Sequence, residues 1–99
     1  MVVIVFRSRV REGVDLASLE KLGQRMYELA SAMPGFISYK DFAATDGEGV
    51  SIVEFEDEAS LLAWHAHPEH QAAQAKGRSE IFSEYHVQIC TPYRERRFG

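Results

Sequence analysis

Several features of secreted, membrane-bound and nucleic-acid-binding proteins are missing from this sequence. There is one cysteine, Cys90, so no disulfide can form within the chain, which favours a reducing compartment and a cytoplasmic location. Fifteen acidic residues outnumber 11 basic ones, so no surplus of Lys and Arg is available to neutralise the phosphates of nucleic acid. The opening apolar run "VVIVF" has neither the flanks of a signal peptide nor the length of a membrane span. We therefore expect no nucleic-acid partner and no membrane partner.

Sequence motifs for nucleotide binding are missing as well. The chain has no Gly-rich phosphate loop and no dinucleotide fingerprint. No linker, internal repeat or low-complexity stretch interrupts its 99 residues, so we expect one domain over residues 1–99. Hydrophobic residues make up 45% of the chain and charged residues 26%, a composition typical of a globular domain with a packed core.

Capping and turn signals divide the chain into six elements. Helices are predicted to start near Asp15 and after Asp57, because aspartate is a preferred N-cap. Strands are predicted over about Val2–Arg9, Phe36–Ala43, Val50–Glu56 and Tyr85–Pro92. The order is the ferredoxin-like βαββαβ arrangement. It predicts an α+β fold with a four-stranded antiparallel sheet, helices on one face, and the first and third strands in the centre.

The two predicted central strands are apolar on both faces. Two helices can cover only one face of the sheet, so either the Val3/Val5 set or the Val2/Ile4/Phe6 set is left on the other. Soluble monomers rarely expose apolar patches of that size. The sequence therefore predicts a homodimer that packs sheet against sheet.

The segment "WHAHPEH", residues 64–70, allows either a metal site or an interrupted helix. A metal site needs three ligands that converge on one point. Pro68 disrupts a helix interior but suits the first position of a new helix, and Gly77 then suits its end. This pattern favours His67 as the cap at a helix joint and places His65 and His70 on different sides of it. We therefore expect no metal.

Trp64 and His65 fall on one apolar stripe of the second helix together with Leu61 and Leu62. The stripe predicts that His65 points inward. Two interpretations stay open: both residues are structural parts of the core, or both line a cavity between the helices and the sheet.

The run "AWHAHPEHQAAQAKGRSEIFSEY", Ala63–Tyr85, resembles the antibiotic-biosynthesis monooxygenase domains, through its W-x-x-H-P-E-H-x-x-A-Q-x-x-G-R pattern. "PGFISYKDF" and "VEFEDEASL" are similar to the second strand of that family and to its junction between the third strand and the helix. The resemblance implies a dimeric α+β barrel with a pocket in each subunit. It also implies oxygenation of an aromatic or quinol-like substrate by O₂, with no cofactor.

The resemblance assigns roles to particular residues. Trp64 and His65 match positions that the family uses, with His65 as the candidate base, whereas His70 is a weaker candidate and Arg78 matches the pattern as a candidate substrate contact. Further candidates for the substrate pocket, depending on which face each strand turns inward, are Phe6, Tyr39 and Phe55. The first strand, "VFRSRV", lacks the Asn of the haem-degrading members, and Gln74 stands where their later His is expected, which argues against haem degradation.

Two other functions fit the same scaffold. One is an isomerase or detoxifying enzyme for a small carbonyl compound, and the other is a non-enzymatic ligand-binding dimer in which every histidine is structural. An open apolar cavity with one convergent histidine would favour the monooxygenase. A cavity closed by large side chains would favour the ligand-binding dimer.

Overall fold

Aspartate side chains determine where two of the helices begin. The Asp15 carboxylate accepts a hydrogen bond from the Ala17 N–H at 3.1 Å, and helix α1 runs from Leu16 to Ser31. The Asp57 carboxylate accepts one from the Ser60 N–H at 2.8 Å, and helix α2 follows it. Each bond satisfies an N–H that has no partner within the helix.

The structure, a computed structural model, describes residues 1–99. Its elements are β1 Val2–Val10, α1 Leu16–Ser31, β2 Phe36–Ala43, β3 Gly49–Phe55, α2 Glu58–Ala66, α3 Pro68–Lys76, a π-helical turn Gly77–Ile81 and β4 Phe82–Cys90. The sheet order is β2-β3-β1-β4 with every neighbouring pair antiparallel. The predicted ferredoxin-like α+β fold, with β1 and β3 in the centre, is confirmed. None of the helices combines the length and the hydropathy needed to cross a bilayer.

The strand register decides which set of β1 residues faces the helices. Val2 lies opposite Phe55, and Ile4 lies opposite both Val53 and Ile89. Because side chains alternate along a strand, the Val2/Ile4/Phe6 set shares the helix-covered face. A cluster of seven buried side chains forms the core there: Val2, Met26, Ala30, Val53, Phe55, Leu61 and Trp64.

The other face of the sheet has no helix on it. Val3, Val5 and Ile52 form a half-buried apolar row along its centre, and Val5 pairs directly with Ile52. Ion pairs flank that row, with Arg7 3.0 Å from Glu48 and Arg9 2.9 Å from Asp46. We refer to this surface as the open sheet face.

The C-terminal region differs from the prediction at two points. Gly77 is the C-cap of α3, as predicted, but its backbone is right-handed and helical (φ −56°, ψ −47°) and begins a π-helical turn that the sequence did not predict. The glycine is also needed for space, since a Cβ there would lie 3.0 Å from the Phe82 ring. Strand β4 consequently runs over Phe82–Cys90 rather than Tyr85–Pro92. The Arg11 guanidinium holds this junction by donating to the carbonyls of Phe82 (2.8 Å) and Arg78 (2.9 Å).

Candidate active site

A cavity of about 970 Å³ lies between the helix-covered face of the sheet and the three helices. Its floor contains Ile4, Phe6 and Tyr85, and its roof contains residues of α1, α2 and α3. Of its 31 lining residues, 20 are hydrophobic, so the cavity suits an apolar ligand of aromatic size. The helices do not close it, because Tyr85, Val87 and Ile89 on the β4 side remain 38–55% exposed.

Six of the seven predicted site residues line this cavity: Phe6, Tyr39, Trp64, His65, His70 and Arg78. The seventh, Phe55, does not. It lies opposite Val2, at the end of the sheet where the helices pack directly on the strands, and it is fully buried. The prediction that Phe55 is a pocket residue is corrected: its ring packs edge-on against Phe36 in the core, with ring centroids 6.0 Å apart.

Pro68 determines the hydrogen bonding at the helix joint. In a continuous α-helix the Trp64 carbonyl would accept from the N–H four residues later, but residue 68 is a proline and has no N–H. The carbonyl accepts instead from the His67 backbone N–H at 3.1 Å, and the Nδ1 atom of His70 lies 3.0 Å from it. The proline therefore leaves an acceptor free for a histidine side chain.

The contacts of His70 define which tautomer its neutral ring adopts. A carbonyl oxygen can only accept, so Nδ1 carries the proton, and the neutral ring has its lone pair on Nε2. The nearest partner of Nε2 is the Gln74 side-chain nitrogen, at a long 3.4 Å. The imidazole stacks on the Trp64 ring with centroids 3.9 Å apart and planes 10° from parallel. His70 is thus a fixed side chain in the lining of an apolar cavity, and in its neutral form Nε2 is the nitrogen without a proton.

Burial lowers the pKa of His70, because a charged imidazolium loses its hydration there. The bond to the Trp64 carbonyl partly offsets that effect on the pKa, whereas charge on His65 and His67 lowers the pKa further. His70 is therefore neutral at physiological pH, which is the state that a general base requires.

His67 is the cap at the helix joint, as predicted. Its Nδ1 accepts a hydrogen bond from the Glu69 N–H at 3.1 Å, and its carbonyl accepts from the Gln71 N–H at 2.9 Å. The Gln71 side chain donates to the carbonyl of His65. The side chains of His67 and Gln71 thus bond to backbone groups near Pro68, where the helical hydrogen bonds are interrupted.

His65 lines the cavity, as predicted, but its side chain is exposed rather than buried. Helix α2 has only nine residues, and its buried face consists of Leu61 and Trp64, three positions apart. Leu62 and His65 flank that face rather than form it. No group of three His, Cys, Asp or Glu side chains is placed to hold a metal ion. The absence of metals and cofactors from the purified protein stays a prediction.

Two polar residues outside the predicted set, Asp41 and Ser51, lie on the floor of the cavity beside Tyr39. The Ser51 hydroxyl donates to the Asp41 carboxylate at 2.5 Å, and Tyr39 lies on the same lining. Burial raises the pKa of Tyr39 to about 12, and the charge on Asp41 adds to the effect, so the phenol stays protonated. Strict alternation in β2 places Tyr39 and Asp41 on one face, which is the signal in the sequence that identifies the pair.

An ion pair fixes the roof of the cavity. The Arg25 guanidinium on α1 makes two bonds to the Glu69 carboxylate on α3, at 2.6 Å and 2.9 Å. The hydrogen bonds and the charge of Arg25 lower the pKa of Glu69. A two-bond pair of this kind fixes the relative orientation of its two elements more tightly than a single contact does. It therefore holds α3, which carries His70, against α1.

Comparison with known proteins agrees with this architecture. The family model described as "Antibiotic biosynthesis monooxygenase" matches residues 1–76. The uncharacterized protein YqjZ of Bacillus subtilis is 35% identical over 75 residues, which cover 76% of this chain and 66% of YqjZ. The match therefore leaves about a third of YqjZ without a counterpart here.

Solved structures share the fold. Rv0793 from Mycobacterium tuberculosis superposes with a TM-score of 0.83 at 21% identity, covering 97% of this chain and 98% of that one. SnoaB, a cofactor-independent oxygenase from Streptomyces nogalater, superposes with a TM-score of 0.80 at 19% identity, covering 95% and 94%. At these identities the similarity establishes the fold and not the activity. By the family match, which covers three quarters of its length, the chain belongs to the antibiotic biosynthesis monooxygenase family.

Proposed function

We propose that this protein is a cofactor-independent monooxygenase that oxygenates a small aromatic, quinol-like substrate with O₂. The observation that carries the proposal is His70, an imidazole in the lining of a large apolar cavity whose Nδ1 lies 3.0 Å from the Trp64 carbonyl, which assigns the lone pair of the neutral ring to Nε2. Family membership supports the class of reaction. The open, largely apolar cavity supports an enzyme rather than a ligand-binding dimer with a closed interior.

The reaction begins with a proton transfer. The substrate lies between the aromatic floor and Trp64, and His70 Nε2 takes the proton of its hydroxyl or of its activated ring carbon. The resulting anion is electron-rich enough to give an electron to O₂ without a cofactor. One oxygen atom then enters the substrate, and the other leaves as water together with the two hydrogen atoms that the substrate loses.

Two contacts of His70 partly offset the cost of placing a charge on its buried ring in this step. Its Nδ1–H keeps its bond to the Trp64 carbonyl, and its face lies against the indole, an arrangement that favours a cation. The Gln74 amide can turn over and present its oxygen to the protonated Nε2. His65 has no such partners and is exposed, so we assign the base role to His70 rather than to His65, the first candidate from the sequence.

The test uses anthrone, which takes up O₂ and yields anthraquinone and water. Metal-stripped protein should accelerate O₂ uptake and quinone formation well above the spontaneous rate, and removal of O₂ should stop the reaction. Added chelator should leave the rate unchanged. Failure to accelerate the oxidation of anthrone and of simple dihydroxynaphthalenes alike would contradict the proposal.

We also propose that the protein acts as a homodimer through the open sheet face. The apolar row of Val3, Val5 and Ile52 has no cover within the chain, and charged pairs flank it as they flank interface cores. A stable dimer of this type buries more than roughly 2,000 Å² in total. Light scattering at micromolar concentration should give twice the mass of the chain, and a stable monomer would contradict the assembly.

A further inference from the structure

We propose that Arg78 selects substrates that carry a carboxylate beside the aromatic ring. The inference rests on the proposed function of the cavity and narrows its substrate class to hydroxylated aromatic acids.

The charges in the cavity lining are few and unevenly placed. Arg78 is the only Lys or Arg among the lining residues, and Glu20 and Asp41 are the only acids. Asp41 accepts the Ser51 hydroxyl, and Glu20 lies on α1. Neither acid is within ion-pair distance of Arg78. The Arg78 guanidinium makes no hydrogen bond or ion pair within the chain. Four other guanidinium groups do make such bonds: those of Arg7, Arg9, Arg11 and Arg25.

The backbone around Arg78 is held in place. Arg78 lies in the π-helical turn Gly77–Ile81, and turns of this type occur frequently at functional sites. The Arg11 guanidinium bonds to its carbonyl at 2.9 Å, and the Phe82 ring fills the space that a side chain at Gly77 would need. The fold thus fixes the backbone of Arg78, and its side chain, which is exposed in the single chain, is one of the residues that line the cavity.

An aromatic surface lies beside that turn. Phe6 is 5.4 Å from Phe82 and 5.4 Å from Tyr85 between ring centroids, and all three rings line the cavity. A substrate ring on this surface brings its substituents close to the Arg78 end of the cavity. A guanidinium offers a carboxylate two parallel N–H donors, which is the strongest pairing available to a planar anion.

The acidic residue on the floor sets the orientation of such a substrate. Asp41 is on β2 and the aromatic surface reaches β4, at opposite edges of the sheet. Three strand spacings separate those edges, roughly 14 Å. A carboxylate is repelled at the β2 edge and attracted at the β4 edge, so an aromatic acid has one favoured direction of binding.

The test compares a hydroxynaphthoate with the corresponding naphthol by calorimetric titration under anaerobic conditions. The wild-type protein should bind the acid at least about tenfold more tightly, as a charge-assisted pair predicts, and salt should reduce that preference. Arg78→Gln should abolish the preference, because the affinity for the acid falls to that for the naphthol. Arg78→Lys should keep part of it, because the charge stays and the two-donor geometry goes.

Lys76→Gln is the matched control, because Lys76 is exposed and outside the cavity lining. It should leave the preference intact, and thermal unfolding confirms that each variant is folded. Equal affinity of the wild-type protein for acid and naphthol, a preference that survives in Arg78→Gln, or binding of neither compound would overturn the inference. A preference for the acid without any O₂-dependent turnover would retain the role of Arg78 and overturn the monooxygenase instead.

Discussion

Replacing His70 by phenylalanine separates its chemistry from its packing. Phenylalanine keeps a flat ring that can stack on Trp64, whose centroid is 3.9 Å from that of His70, and removes both nitrogens. Loss of a positioned base lowers the rate by roughly 10²–10⁴-fold. We therefore expect His70→Phe to reduce anthrone turnover by that factor.

The expected loss of stability is small. The variant loses the bond from Nδ1 to the Trp64 carbonyl, about 0.5–1.5 kcal/mol of the free energy of unfolding. That carbonyl keeps the His67 N–H at 3.1 Å, so no buried acceptor is left without a partner. At about 4–8 °C per kcal/mol for a chain of this size, Tm should fall by roughly 2–12 °C.

The assay measures O₂ uptake with anthrone alongside thermal unfolding, and His65→Phe is the matched control. His65 lines the same cavity but is exposed, so its replacement should change neither the rate nor Tm by much. A folded His70→Phe protein with normal turnover would refute the assignment. A larger loss in His65→Phe than in His70→Phe would return the base role to His65.

The pH dependence gives an independent check on His70. Its pKa in the folded protein lies below the ordinary value of 6.5, so the acid-side decline in rate should occur at a lower pH than an ordinary histidine base would give. Stability behaves with the same sign: between the lowered pKa and 6.5 the unfolded chain binds more protons, so the free energy of unfolding falls as the pH drops through that window. His70→Phe should remove both effects.

Three further predictions concern assembly, the backbone and alkaline pH. Ile52→Lys should convert the dimer to a monomer by light scattering, whereas Leu16→Lys, on an exposed side chain of α1, should not; a dimeric Ile52→Lys would argue against the open sheet face. Gly35→Ala should lower the free energy of unfolding by about 2–4 kcal/mol, because φ is +81° and a Cβ would lie 2.1 Å from the Ser60 hydroxyl. Gly13→Ala, at φ +80° with nothing within 4 Å, should lose only about 1–2 kcal/mol in the same denaturant titration, and equal losses would contradict the clash. Tyr39, with a pKa of about 12, should make the wild-type protein lose stability as pH rises from about 10 through 12, and Tyr39→Phe should lose less; identical alkaline curves would contradict the burial of the phenol.

Local signals in the sequence predict most of the fold. Asp15 and Asp57 begin their helices because a capping carboxylate acts within three residues, and His67 marks the joint because Pro68 follows it. The sheet order follows from the order of the elements and from the two-sided apolar character of β1 and β3.

The features that local signals miss depend on contacts between distant residues. Gly77 is the C-cap of α3, as its position predicts, but no local rule detects that a side chain there would also meet the Phe82 ring. The stripe on α2 does not predict that His65 lines the cavity and is nevertheless exposed, because helical periodicity over nine residues cannot distinguish the centre of a face from its flank. His70 does have a signal in the sequence, since a proline four residues after Trp64 frees a carbonyl for a donor side chain.

The large cavity has a thermodynamic consequence for finding the natural ligand. Only nine of the 99 residues are buried in the single chain, and a cavity of about 970 Å³ lies between its sheet and its helices. A ligand at 100 times its Kd adds about 2.7 kcal/mol to the free energy of unfolding. For a chain of this length that corresponds to a rise in Tm of roughly 11–22 °C. Melting temperature is therefore a sensitive readout for a library of aromatic acids, phenols and quinols, and it responds to binding whether or not the bound compound reacts.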